Sequence, residues 1–329
     1  MNTIIKNKVL AKNDIKGIIN SFDKTETIQR NQELLSKIVS GNNNLSDDEI
    51  FEFIESVTAF AIKKEISEED FDNIKITITN EDRGNSYGTT VLENDRVTNI
   101  LFSNYHCFCS KDIFKILAGL GTFGHELCHF SQRKRLRNDE KSIRSFIMAL
   151  EFAIATTSPE LYNTLYGSLL SEVEAEVKGA ETISDFFTSI SPDFDSDKLK
   201  EIYLLNSCVS YDYYNNRGFV YNYIVKLIDL AEKLGILNSK RNNKISFPEF
   251  EFLNQFFDED GAFNFELDDD YDEFELLVDD SFEELSFEKI MIPDDTMLNR
   301  VLARIMVERS FTSYFDDTEE DDKKILGLK

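Results

Sequence analysis

Two of the three histidines in this chain stand four residues apart, in Gly124-His125-Glu126-Leu127-Cys128-His129-Phe130. On a helix, positions four apart share one face, so both imidazoles can reach a single zinc ion. Glu126 lies about 100° further round the axis, where it can approach a water on that ion and take its proton. The pattern is a metal centre with a base beside it, which is the chemistry of hydrolysis.

A catalytic zinc site takes three protein ligands and keeps a fourth position open. The best third ligand lies downstream, in Leu169-Leu170-Ser171-Glu172-Val173-Glu174-Ala175-Glu176-Val177-Lys178-Gly179-Ala180. Glu172 and Glu176 are one turn apart. If their helix crosses the first, Glu172 can complete a His2Glu set while Glu176 accepts the free ring N–H of a liganding histidine. Glu174 is the rival ligand, although on an ideal helix it points roughly 160–200° away from its neighbours.

These two segments resemble the zinc metallopeptidases of the gluzincin type, in which a His-Glu-x-x-His helix precedes a second helix that supplies a glutamate ligand. The first segment matches with uncharged residues at the two inner positions and an apolar residue after His129. The second is similar to the Glu-x-x-Ala-Asp pattern, including the small residue that follows. The resemblance implies His125, His129 and Glu172 as zinc ligands and Glu126 as general base. It puts Glu176 in the place of the aspartate that hydrogen-bonds a liganding histidine. Glutamate for aspartate is a departure, because the extra methylene changes how the carboxylate reaches the ring. The resemblance covers about residues 73–190. It implies an α+β, zincin-like metallopeptidase core with a small twisted sheet, an active-site helix and a glutamate-bearing helix, flanked by additional helices. In that fold a strand near the cleft accepts extended substrate by backbone pairing, and residues 97–103 are the candidate here.

The negative intermediate of such a reaction needs an electrophile besides the metal. His106, Tyr162, Tyr166, Tyr211, Tyr213 and Tyr214 are available, and Tyr213 and Tyr214 are taken as catalytic candidates because they lie in a polar aromatic segment able to reach a cleft. His106-Cys107-Phe108-Cys109 reads as buried thiols, with a metal-linked cluster as the alternative. The basic run Arg133-Lys134-Arg135-Leu136-Arg137 suits a helix C-terminus.

Residues 1 to about 66 are expected to be helical, with a capping box at Ser46 and Glu49. Strands are expected at 73–79, 86–93 and 97–103 from their period-two alternation and polar turns. Helices follow at 111–134, 139–156, 159–187, 197–209, 217–235 and 295–312. The domains are then an N-terminal helical region at 1–70, a catalytic domain at 71–240 and an acidic C-terminal region at 241–329 that ends in a helix.

The chain has 329 residues, 62 acidic against 36 basic, and a formal charge of −26. That charge argues against general nucleic-acid or anionic-membrane binding. Residues 245–290 hold 17 Asp or Glu against one Lys, with Phe and Leu interspersed. This suits a segment that packs one side and repels anions from the other. No signal peptide or membrane span is legible, and four cysteines in this length suit a cytoplasmic protein without a disulfide framework. The expectation is a zinc-dependent endopeptidase acting on a protein or peptide. Two other readings use the same residues: a non-catalytic interaction or regulatory protein with an acidic binding surface, and a zinc-dependent small-molecule amidase.

Overall fold

The computed structural model describes residues 5–22, 24–39, 45–84, 86–93, 96–137, 143–166, 169–190, 199–200, 203–204, 217–237, 254 and 256. The expected helix at 295–312, most of the one at 197–209 and all but two residues of the acidic segment lie outside them.

The fold is mixed α+β. Four strands, β1 (Asn7–Leu10), β2 (Lys75–Thr79), β3 (Gly88–Glu93) and β4 (Arg96–Phe102), form one sheet in the order β1-β2-β4-β3. β2 and β4 are parallel, and the outer strands run antiparallel to their neighbours. Alternation makes β2, with Ile76 and Ile78 fully buried and Lys75 exposed. β1 corrects the expectation of helix throughout residues 1–66. Only Leu10 of its four residues is buried, so the segment is too short and too exposed to show a period, and pairing with β2 makes it a strand.

The helices are α1 (Lys12–Phe22), α2 (Thr25–Val39), α3 (Asp47–Glu65), α4 (Tyr105–Phe108), α5 (Ile113–Arg137), α6 (Ile143–Thr157), α7 (Pro159–Leu165), α8 (Leu170–Ile190) and α9 (Arg217–Lys233). The capping box that starts α3 is formed: the Glu49 N–H donates to Ser46 Oγ at 3.2 Å and the Ser46 N–H donates to Glu49 Oε2 at 3.0 Å. The single helix expected at 159–187 is instead two, α7 and α8. The first ends at Leu165 and the second begins at Leu170.

The described residues fall into two compact units. The first takes in residues up to 131 with 175–190, 199–200 and 203–204, and the second takes in 132–174 with 217–237, 254 and 256. Each has its own apolar core. In the first, Phe53 of α3 meets Phe108 and Phe186 edge-on, with ring centroids 5.3 and 6.0 Å apart, and Phe102 of β4 lies 4.7 Å from Phe123 of α5. In the second, Phe146, Leu150 and Ile154 of α6 pack with Leu170 and Val173 of α8 and with Leu227 of α9.

Both units contain a stretch of α5 against a stretch of α8. In the first unit the backbones approach closely, because a methyl group on Gly124 would collide with the Thr182 hydroxyl and the Lys178 carbonyl oxygen. In the second, Gln132 Nε2 donates to the Ser171 carbonyl at 2.8 Å and to Glu174 Oε2 at 2.9 Å. These two sets of contacts flank, along α5, the segment that carries His125 and His129.

Candidate metal centre

His125, His129 and Glu172 each offer a ligand atom, and the three atoms all lie within 4.8 Å of one another. His125 and Glu172 are buried, at 8% and 3% exposure. The two histidines turn their Nε2 atoms toward each other at 3.2 Å, with the ring planes 85° apart. Two nitrogen ligands on one tetrahedral zinc, each at about 2.0–2.1 Å, stand about 3.3 Å apart, so the separation fits a shared ion. Two imidazoles and one carboxylate are also the donor set of catalytic rather than structural zinc, with the fourth position left open. The residues present fit the metal.

Glu172 belongs to the first turn of α8, whose leading N–H groups have no partner within the helix. Residue 169 is leucine and cannot cap them. Glu151 of α6 does so instead: its Oε1 accepts from the Leu170 N–H at 2.7 Å and its Oε2 from the Ser171 N–H at 2.9 Å, while the Tyr223 hydroxyl donates to Oε1 at 2.6 Å. The Tyr162 hydroxyl donates to Oε1 of Glu172 itself. Burial, together with the Glu172 carboxylate, pushes the Tyr162 hydroxyl well above its ordinary pKa.

The rival ligand is committed elsewhere. Glu174 accepts from Gln132 and forms ion pairs with Arg135, at 2.7 Å, and with Arg144. Burial raises its pKa, but the two guanidinium groups outweigh that and hold the carboxyl below the usual range.

Burial pushes Glu151 up to about 7 in spite of its three donors. Because its folded pKa is raised, the folded state keeps this proton after the unfolded chain has lost it. The stability this contributes is complete below the unfolded pKa of about 4.5 and is lost as the pH rises through 7. Glu151→Gln should therefore remove a downward slope worth about 3 kcal/mol between pH 4.5 and 7.5. Urea unfolding of the metal-free protein across that range measures it, and parallel wild-type and variant curves would refute it.

Glu126 faces β3. The Thr90 hydroxyl donates to Glu126 Oε2 at 2.8 Å. A Cβ at Gly88 would fall 2.5 Å from Glu126 Cγ and 2.6 Å from Oε1, so only glycine lets the strand lie against this carboxylate. Among the described residues β3 pairs only with β4, and β4 is hydrogen-bonded on both sides. The strand expected to accept substrate, 97–103, is thus an inner one. Alternation identifies strands but not their order in a sheet, and β3 is an edge strand. Beyond the ligands, His125 Nδ1 lies 3.4 Å from Glu176 Oε1, and the Tyr203 hydroxyl donates to Glu176 Oε2 at 2.6 Å.

Of the candidate electrophiles, Tyr162 stands beside Glu172. His106 Nε2 lies 3.0 Å from the Asn80 carbonyl oxygen. Tyr211, Tyr213 and Tyr214 lie outside the described residues. Cys107 and Cys128 are buried, and burial pushes the Cys107 thiol up to about 12, as suits an inert side chain, but Cys109 is exposed and departs from the expectation of buried thiols. Among the described residues, His125, His129 and Glu172 form the one cluster able to hold a metal. Part of the basic run is used within its own unit, with Arg135 on Glu174 and the Arg133 guanidinium 3.6 Å from the centre of the Phe152 ring. Thr90, Glu151 and Tyr203 carry no motif and escaped sequence reasoning. Gly88, an isolated glycine in a strand-like segment, was the one available signal of a close approach.

The arrangement His125-Glu126-x-x-His129 with Glu172 matches the zinc-binding triad typical of gluzincin metallopeptidases. The chain has no significant match among protein-family models, curated proteins or solved structures. Among the described residues, no helix is long and apolar enough to cross a membrane.

Proposed function

We propose that the chain is a zinc-dependent endopeptidase acting on a protein or peptide, with Glu126 as general base. The convergence of His125, His129 and Glu172 is the observation that carries this reading. A zinc ion held by these three supplies a Lewis acid for the substrate carbonyl and lowers the pKa of a water. Glu126 takes the water's proton on Oε1, the oxygen not engaged by Thr90, and passes it to the departing amine. Tyr162, whose hydroxyl donates to Glu172, supports that carboxylate, and Tyr213 and Tyr214 are the candidates for the donor to the developing oxyanion. Glu176 holds the His125 ring through Nδ1.

A peptide is favoured over a small amide by β3. An edge strand that touches the base can pair with an extended chain and bring its carbonyl to the metal, and Val91 and Leu92 of this strand expose apolar side chains, at 39% and 38%. The free thiols favour a cytoplasmic setting, and the charge of −26 disfavours nucleic acid. The test is cleavage of a panel of extended fluorogenic peptides by the zinc-loaded chain. Cleavage should vanish on dialysis against a chelator and return when zinc is restored. Cleavage that survives complete metal removal would refute the mechanism, and a zinc-loaded chain that cleaves no peptide would favour a non-catalytic role.

A further inference from the structure

We propose that Tyr203 is a positioning residue for the zinc site, acting through Glu176 on the His125 ring. The inference rests on the reading of His125 as a zinc ligand. It begins from Glu176, where a shorter aspartate would reach the imidazole with one rotatable bond fewer. The extra methylene gives this carboxylate more orientations, and an ordered contact with His125 then needs a second anchor.

Tyr203 supplies that anchor. Its hydroxyl donates to Oε2 at 2.6 Å, so Oε1 is the oxygen turned to His125 Nδ1, at 3.4 Å. The opposite ring nitrogen, Nε2, is the one turned to His129. The three side chains therefore form a line, from tyrosine hydroxyl to carboxylate to imidazole, that ends on the ligand atom.

The fold makes room for this phenol. A Cβ at Gly121 of α5 would lie 2.6 Å from Tyr203 Cζ, and one at Gly179 of α8 would lie 3.1 Å from the hydroxyl oxygen and 2.9 Å from the Gly121 carbonyl oxygen. Glycine in a helix interior is unfavourable relative to alanine. Here two facing glycines leave a slot that the tip of one tyrosine fills. The ring of Tyr203 also packs on the apolar core of the first unit, so removing only the hydroxyl leaves that packing in place.

The decisive experiment is a thermodynamic cycle on zinc affinity in the full chain. It compares wild type, Tyr203→Phe, Glu176→Gln and the double variant by competition with a chromophoric chelator, with thermal unfolding of each metal-free protein as the folding check. Loss of such outer contacts weakens zinc binding about 10- to 100-fold. Tyr203→Phe should do so near the lower end of that range and Glu176→Gln further up it. The double variant should bind no more weakly than Glu176→Gln alone, because the tyrosine acts only through the carboxylate. A merely structural tyrosine would move the melting temperature and leave the cycle additive. Wild-type affinity in Tyr203→Phe, or additive losses in the double variant, would overturn the proposal while leaving the His2Glu site standing. A folded wild type that binds no zinc would bring down the site reading and this proposal together.

Discussion

Glu126→Gln is expected to abolish peptide hydrolysis while leaving zinc bound at the wild-type level. The amide has nearly the volume of the carboxylate, so it fits the space that Gly88 leaves open. The Thr90 hydroxyl that now donates to Oε2 can turn to accept from an amide instead. Neither the fold nor the ligands should be disturbed. What is lost is a group able to take a proton, and general base catalysis contributes about 10²- to 10⁴-fold. The loss should fall on kcat with KM little changed, since Glu126 is assigned to the reaction rather than to substrate binding. Turnover and metal content measured on the same preparations check this, and a variant within a few-fold of wild-type kcat would remove Glu126 from the mechanism.

Glu172→Ala should take the zinc away. It removes the only carboxylate in the triad, and two histidines alone make a poor zinc site. Zinc per chain should drop from near one to near zero after dialysis against a mild chelator, and hydrolysis should drop with it. The informative control is Glu174→Ala, two residues along the same helix. That change strands Arg135 and Arg144 beside a cavity, and breaking a buried ion pair costs about 3–5 kcal/mol, so its main effect should be on unfolding. A Glu172→Ala protein that is folded and keeps its zinc would move the third ligand elsewhere.

The ligands were legible because helical periodicity places residues one turn apart on a shared face, and both the histidine pair and the Glu172 segment use that geometry. The strands β2 to β4 and the start of α3 were legible for the same local reason, in alternation and in a capping box. The groups that orient the site were not. Thr90 meets Glu126 across 36 residues, Tyr203 meets Glu176 across 27, and Glu151 meets Ser171 across 20. Such pairs are made by packing, and no local pattern announces them. The order of strands was not legible for a related reason: β1, four residues with one buried side chain, becomes the neighbour of β2 only through long-range pairing.

The first turn of α8 bears on how tightly a metal can be held. Helices open from their ends, and a ligand on an end turn spends part of its time out of place unless that end is secured. An apparent dissociation constant is the intrinsic one divided by the fraction of molecules in the competent conformation. By clamping the Leu170 and Ser171 amides, Glu151 raises that fraction for Glu172. The affinity of the centre is then partly a property of α6, a helix that contributes no ligand to it, and slow hydrogen exchange at the first amides of α8 in the metal-free protein would be its signature.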